Sequence, residues 1–169
     1  LDVCKKLVLI TGHRRESFGT GFENICKAVK KIAESNSDVI IVYPVHLNPN
    51  VQKPVNRMLK DMDNIHLIEP QEYIEFVYLM MRSTIILTDS GGIQEEAPSL
   101  SKPVLVMRDN TERQEAVDAG TVKLVGTDTD SIVKNANDLL NNNLSYKNMA
   151  NKINPYGDGK SCDMIIKTL

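Results

Sequence analysis

The chain has 169 residues, 41% hydrophobic and 25% charged, with a formal net charge of −2. That length and balance favour one compact domain, and the charge gives no footprint for nucleic acid or an anionic membrane surface. No apolar run approaches the roughly 20 residues of a membrane span and no secretory signal is visible, so a cytoplasmic location is expected.

Six short apolar runs mark the chain in order: Leu7–Ile10, Val39–Val42, Ile65–Ile68, Ile85–Leu87, Val104–Met107 and Val122–Val125. Most are continuous rather than alternating, the pattern of strands covered on both faces of a parallel sheet. Helical stripes lie between them. Phe22, Ile25, Cys26, Val29, Ile32 and Ala33 share one face, as do Val51, Val55, Met58, Leu59 and Met62, and Tyr73, Phe76, Val77, Met80 and Met81. Further helices are expected from Gly92-Ile93, near Glu112, and along Ile132, Val133, Ala136, Leu139 and Leu140. Asn141-Asn142-Asn143 reads as a loop before a helical tail. The alternation predicts a doubly wound α/β fold, Rossmann-like, with helices on both faces of the sheet. Cys4, Cys26 and Cys162 are odd in number and widely spaced, which reads as reduced thiols without a metal site, Cys26 filling a helix face.

In such sheets ligands bind beyond the carboxyl ends of the strands, so the residues that follow each strand carry the functional information. After the fourth strand, Ser90, Gly91 and Gly92 stand where a helix begins. Free N–H groups there suit an anion, and glycines let a phosphate approach the backbone. The alternative is a tight turn with Ser90 as helix cap. It is neither a P-loop nor a GxGxxG fingerprint, so it names no ligand by itself. Glu96, one turn on, could accept hydrogen bonds from a ribose diol or be a solvated helix residue. Phe76 belongs to a core-like stripe, and Arg113 alone reads as a surface arginine as readily as a phosphate ligand. His13 at the end of the first strand suits proton transfer or donation to a phosphate, with Arg14 and Arg15 favouring an anion. A basic loop without a ligand is the alternative. His46 is a weaker candidate of the same kind, and His66, inside an apolar run, reads as structural.

Taken together, the segments TGHRRESFG, YPVHLNPNV, PQEY, TDSGGIQEEAPSLSKPVLVMRDNTERQEAV, AGTVKLVGTD and NPYGDGKS resemble the C-terminal domain of the bacterial non-hydrolysing UDP-N-acetylglucosamine 2-epimerases, over about Lys6 to Gly159. The resemblance implies half of a GT-B-type two-domain architecture with the active site between the domains. It implies interconversion of UDP-N-acetylglucosamine and UDP-N-acetylmannosamine by elimination and re-addition of UDP, without a cofactor, in a homodimer serving polysaccharide biosynthesis. It places the catalytic histidine at His13, the diphosphate loop at Ser90, Gly91 and Gly92, the ribose carboxylate at Glu96, the uracil positions at Gln71 and Phe76, and a substrate arginine at Arg113. Arg14 and His46 match positions used by a second, activating UDP-N-acetylglucosamine in some members. The family's acidic catalytic residues belong to an N-terminal domain. The whole chain, residues 1–169, is therefore expected to be a single UDP-binding domain, a fragment that opens at Leu1 without its N-terminal domain and is inactive alone, with an apolar patch for docking. Competing readings are the donor-binding domain of a GT-B glycosyltransferase, a hydrolysing epimerase and a non-catalytic nucleotide-sugar sensor. An NAD-binding domain is disfavoured because Gly12 precedes His13-Arg14-Arg15 rather than a glycine-rich turn.

Overall fold

A computed structural model describes residues 4–157 and 159–168; Leu1 and the Asp158 of NPYGDGKS lie outside them. Six strands form one sheet: β1 (Lys6–Thr11), β2 (Val39–Pro44), β3 (Ile65–Ile68), β4 (Ile85–Thr88), β5 (Val104–Val106) and β6 (Val122–Leu124), in the order β3-β2-β1-β4-β5-β6. Every neighbouring pair is parallel, with Leu9 opposite Val42 on one side of β1 and Ile86 on the other. Each parallel neighbour needs a crossover, which the intervening helices provide. After β3 the chain returns to lay β4 beside β1, and there the strand order reverses.

Alternate residues of the strands enter two separate cores. Val8, Ile10, Ile41, Tyr43, Ile85, Leu87 and Leu105 pack with α1 (Thr20–Ser35), α2 (Pro49–Leu59) and α6 (Thr129–Asn141). Leu7, Leu9, Val42, Ile86, Val104 and Val106 pack with α3 (Tyr73–Arg82), α4 (Gly91–Glu96) and α5 (Gln114–Ala119). The central strands are buried on both faces, hence their continuous apolar runs. On β3 and β6 only Ile65 and Val122 are buried, because edge strands have a neighbour on one side alone.

Local chemistry sets the helix ends. Asn48 and Asp128 cap α2 and α6 by accepting from Asn50 N and Ser131 N at 2.9 Å each. The Asn36 amide closes α1 by donating to the Ile32 carbonyl at 2.8 Å. Three local expectations are corrected. The Asn141-Asn142-Asn143 stretch is a helix junction rather than a loop: α6 runs through Asn141, and the Asn142 side chain caps α7 (Asn143–Ala150) by accepting from Leu144 N and Ser145 N. His66 is exposed on β3 rather than structural, since alternation on an edge strand turns it outward. On α3 the buried pair is Leu79 and Met80, whereas Tyr73 and Met81 face solvent; the helix is apolar on nearly every side, so periodicity alone does not choose its inner face. The described part ends with α8 (Ser161–Thr168), which buries no side chain. Among the described residues no helix is long and apolar enough to cross a membrane.

Candidate functional site

The reversal of strand order opens a crevice beyond the ends of β1 and β4, the place where sheets of this kind hold ligands. Thr11 and Thr88 sit opposite each other there, their hydroxyls 2.6 Å apart. Past them the two chain segments are fastened by Asp89, a fully buried carboxylate that the sequence reading passed over. Its Oδ2 accepts from the main-chain N–H groups of both His13 and Arg14 at 2.7 Å, and its own N–H donates to the Thr11 carbonyl at 3.2 Å. Its Oδ1 has no hydrogen-bond partner and lies 3.8 Å from His13 Nδ1.

Gly12 passes close beneath this loop. The buried Tyr43 hydroxyl donates to the Gly12 carbonyl at 2.9 Å, and a Cβ on Gly12 would stand 3.2 Å from that hydroxyl. Burial pushes the Tyr43 phenol well above its ordinary pKa, with the charges of Cys26 and Asp89 adding to the effect, so Tyr43 stays a donor. The tight bend turns His13 outward, its side chain 44% exposed. His46, from the loop after β2, stacks on it with ring centroids 4.9 Å apart and planes 7° from parallel. The His46 Nδ1 accepts from Asn48 N at 3.1 Å, which orients that ring.

His13 and His46 line a cleft of about 210 Å³ together with Gln71, Phe76 and Ser90; Pro44, Pro70 and Ile93 supply apolar wall. Five of the sequence-selected residues therefore meet in one place. Phe76 is half-buried and serves both as wall and as part of the second core. The Gln71 side chain turns back to donate to the Glu69 carbonyl at 2.8 Å. Ser90 occupies the cap position of α4 but makes no side-chain capping bond, so the capping alternative is not how its hydroxyl is used. Its backbone is fixed instead: Ser90 N donates to Thr88 Oγ1 at 2.9 Å, and the Gln94 side chain donates to the Ser90 carbonyl at 3.1 Å. Gly91 is buried and Gly92 exposed at the head of α4, which starts one residue before the expected point. The helix is only six residues long and passes into a 3-10 turn at Ala97–Leu100, so what it offers an anion is its first N–H groups rather than a large dipole.

Glu96, Arg113 and Arg14 stand outside the lining of the cleft. Glu96 accepts from the Tyr73 hydroxyl at 3.0 Å, and a Cβ on Gly92 would lie 3.8 Å from its Oε1. Arg113 is held between two carboxylates, its Nε donating to Glu95 at 2.7 Å and its Nη1 lying 3.4 Å from Glu112. Its guanidinium comes within 3.4 Å of where a Gly91 Cβ would be, so it borders the start of α4. Glu112 also faces Arg14 at 3.5 Å and accepts from Arg108 at 2.8 Å. A main-chain hydrogen bond and these arginines hold its carboxyl below the usual range. Arg108, 9% exposed, bridges to Glu16 at 2.6 Å; burial opposes its charge, but the bonds to Glu112 and Glu16 outweigh burial and raise its pKa. Little in the sequence marks Arg108 or Asp89: Glu16, one partner of Arg108, and both residues that donate to Asp89 lie on a distant segment. The one available signal for Asp89 was an acid directly after a central strand, beside two candidate loops.

The family model described as UDP-N-acetylglucosamine 2-epimerase matches residues 3–169. A UDP-N-acetylglucosamine 2-epimerase of Yersinia pestis is 62% identical over 169 residues, covering 100% of this chain and 45% of the relative. The crystal structure of UDP-GlcNAc 2-epimerase from Neisseria meningitidis, bound to UDP-GlcNAc, superposes with a TM-score of 0.92 at 54% identity over 97% of this chain and 44% of that one. WaaG, a glycosyltransferase involved in lipopolysaccharide biosynthesis, shares the fold alone, with a TM-score of 0.64 at 14% identity over 87% of this chain and 41% of that one. The chain thus spans less than half the length of the epimerases it matches. With the Rossmann-like strand order, the cleft at its switch point and a match along nearly its full length, the chain belongs to the UDP-N-acetylglucosamine 2-epimerase family.

Proposed function

We propose that this chain, as one UDP-binding domain, is the nucleotide-holding part of a non-hydrolysing enzyme that interconverts UDP-N-acetylglucosamine and UDP-N-acetylmannosamine. The observation that carries the reading is the meeting of His13, Ser90, Phe76 and Gln71 around one cleft at the strand-order reversal. The first N–H groups of α4 and the Ser90 hydroxyl hold the diphosphate. Glu96 accepts from the ribose hydroxyls after exchanging its bond to Tyr73, and Arg113 adds a cation beside Gly91. Phe76 and the Gln71 main chain flank the uracil. His13 holds or protonates the departing phosphate. Loss of the C2 proton and cleavage of the C1–O bond give 2-acetamidoglucal and UDP; re-addition returns UDP to C1 and delivers the proton to the other face of C2.

That chemistry also needs an acid and a base at the sugar, within hydrogen-bonding distance of C2. One histidine beside a UDP cradle does not supply both, so the partner groups come from an N-terminal domain, and the complete enzyme acts in the cytoplasm as a homodimer. Arg14 and His46 are the residues of this chain that would meet a second, activating substrate molecule. Calorimetric titration of the chain with UDP, with UMP and NAD as controls, tests the cradle. Saturable UDP binding is expected, weakened about 3- to 10-fold by Ser90→Ala or Glu96→Gln, the effect of one lost hydrogen bond, and without turnover of UDP-N-acetylglucosamine. Equal affinity for NAD, or full affinity in both variants, would overturn the reading.

A further inference from the structure

The proposal that His13 meets the leaving phosphate leaves open what determines which of its nitrogens faces the cleft. The geometry points to Asp89 as the positioning residue for His13: its unpartnered Oδ1 is the acceptor for the His13 Nδ1–H, which turns Nε2 toward the ligand. Three observations carry this. Asp89 is fully buried, yet only one of its two oxygens is used, by the N–H groups of His13 and Arg14 at 2.7 Å. The other is without a hydrogen-bond partner, and buried carboxylate oxygens without partners are costly. His13 Nδ1 stands 3.8 Å from it, on the same two-residue loop that the carboxylate already grips. Closing that gap by about 1 Å takes a small rotation of the imidazole and makes a charge-assisted bond.

A carboxylate behind one nitrogen of a histidine fixes the tautomer and balances the imidazolium that forms when the other nitrogen takes up a proton. Here the imidazolium, its Nε2 already protonated before the step, donates that proton to a phosphate oxygen as the C1–O bond breaks and recovers it on re-addition, while the Nδ1–H stays hydrogen-bonded to Asp89. Stacking against His46 sets the plane of the ring, and Asp89 sets which edge faces inward. The inference rests on the assignment of His13 as the phosphate-facing group, but its test does not depend on turnover.

Nitrogen-15 spectra of the chain with labelled histidine, recorded at about pH 8.5 where an ordinary imidazole is neutral, read the tautomer directly. His13 is expected to carry its proton on Nδ1, against the Nε2–H form that a free imidazole prefers. In Asp89→Asn the amide oxygen still serves the two main-chain donors and the NH₂ faces the ring, so the His13 proton moves to Nε2. A purely structural Asp89 would leave the tautomer unchanged. An Nε2–H form in the parent chain overturns the proposal, and that measurement needs no variant to fold. An unchanged tautomer in a folded Asp89→Asn overturns it as well. Loss of UDP binding with an Nδ1–H tautomer would defeat the functional reading and leave the pairing supported.

Discussion

The face of the sheet under α1, α2 and α6 is closed by helices of 16, 11 and 13 residues, whereas α3, α4 and α5 on the other face span 10, 6 and 6. The closed face buries Phe22, Ile25, Val29 and Ile32 completely or nearly so, while the open face leaves Ile74 at 80% and Tyr78 at 58% exposure. Phe76, Ile93, Glu96 and Arg113 all come from the open side or the loops that serve it. The two faces thus differ in packing: one is closed by long helices, and the other uses short helices whose ends and outer surfaces stay accessible, while His13 and His46 reach the cleft from the loops that lead into α1 and α2. Tyr73, Ile74, Tyr78 and Met81 of α3 are all exposed, so the outer surface of that helix is apolar.

The division is tested most strongly by truncating one aromatic on each face. Phe22→Ala should cost about 3–5 kcal/mol in urea unfolding, since it empties a sealed site. Tyr78→Ala should cost less than about 0.5 kcal/mol as an exposed position. Comparable losses would mean that the open face carries the fold as well.

A smaller effect is expected from acid, at the arginine cluster that ties the β1 loop to the β5 loop. The Glu112 carboxyl lies below its ordinary value of 4.5 in the folded chain, so its contribution is present above that value and is lost as pH falls through the depressed one. Urea midpoints measured at about pH 6 and about pH 3.5 should therefore fall less in Glu112→Gln than in the parent. An identical fall would show that the cluster with Arg108 and Arg14 does not stabilise the loops.

The smallest signal concerns thiols. Burial pushes Cys26 up to about 12, ahead of the repulsion from Glu23. Cys4 and Cys162 are exposed. Alkylation near pH 8 should modify those two quickly and reach Cys26 only on unfolding. Rapid reaction at Cys26 would show that the closed face opens readily.

Much of the fold was legible because continuous apolar runs have one economical explanation, a strand with helices above and below, and all six runs became strands. The β1 and β4 loops were legible as sites for the same reason, since strand ends locate them. The inner face of α3 was not, because Tyr73, Phe76, Val77, Tyr78, Leu79 and Met80 leave several stripes equally apolar. The helix boundary at Asn142 was missed because asparagine marks both loops and caps. Asp89 was missed because burial of a carboxylate depends on the N–H groups that receive it, and these belong to residues 75 and 76 positions earlier. Arg108 was missed likewise, since one of its two acidic partners, Glu16, stands 92 positions away.

The strand order also has a consequence for how the chain assembles. Within this chain the middle strand, β1, comes first and finds β2 after some thirty residues, but its other neighbour, β4, is more than seventy residues on. Until Ile85–Thr88 arrives, one edge of a strand with the apolar centre Leu7–Ile10 stands open, and the loop closure that covers it is long-range and slow. Asp89 follows immediately after that strand, so the bond that seats the His13 loop forms only once this late closure is made. A partly made chain therefore carries both its greatest aggregation hazard and an unassembled site, and the same pairing event removes both.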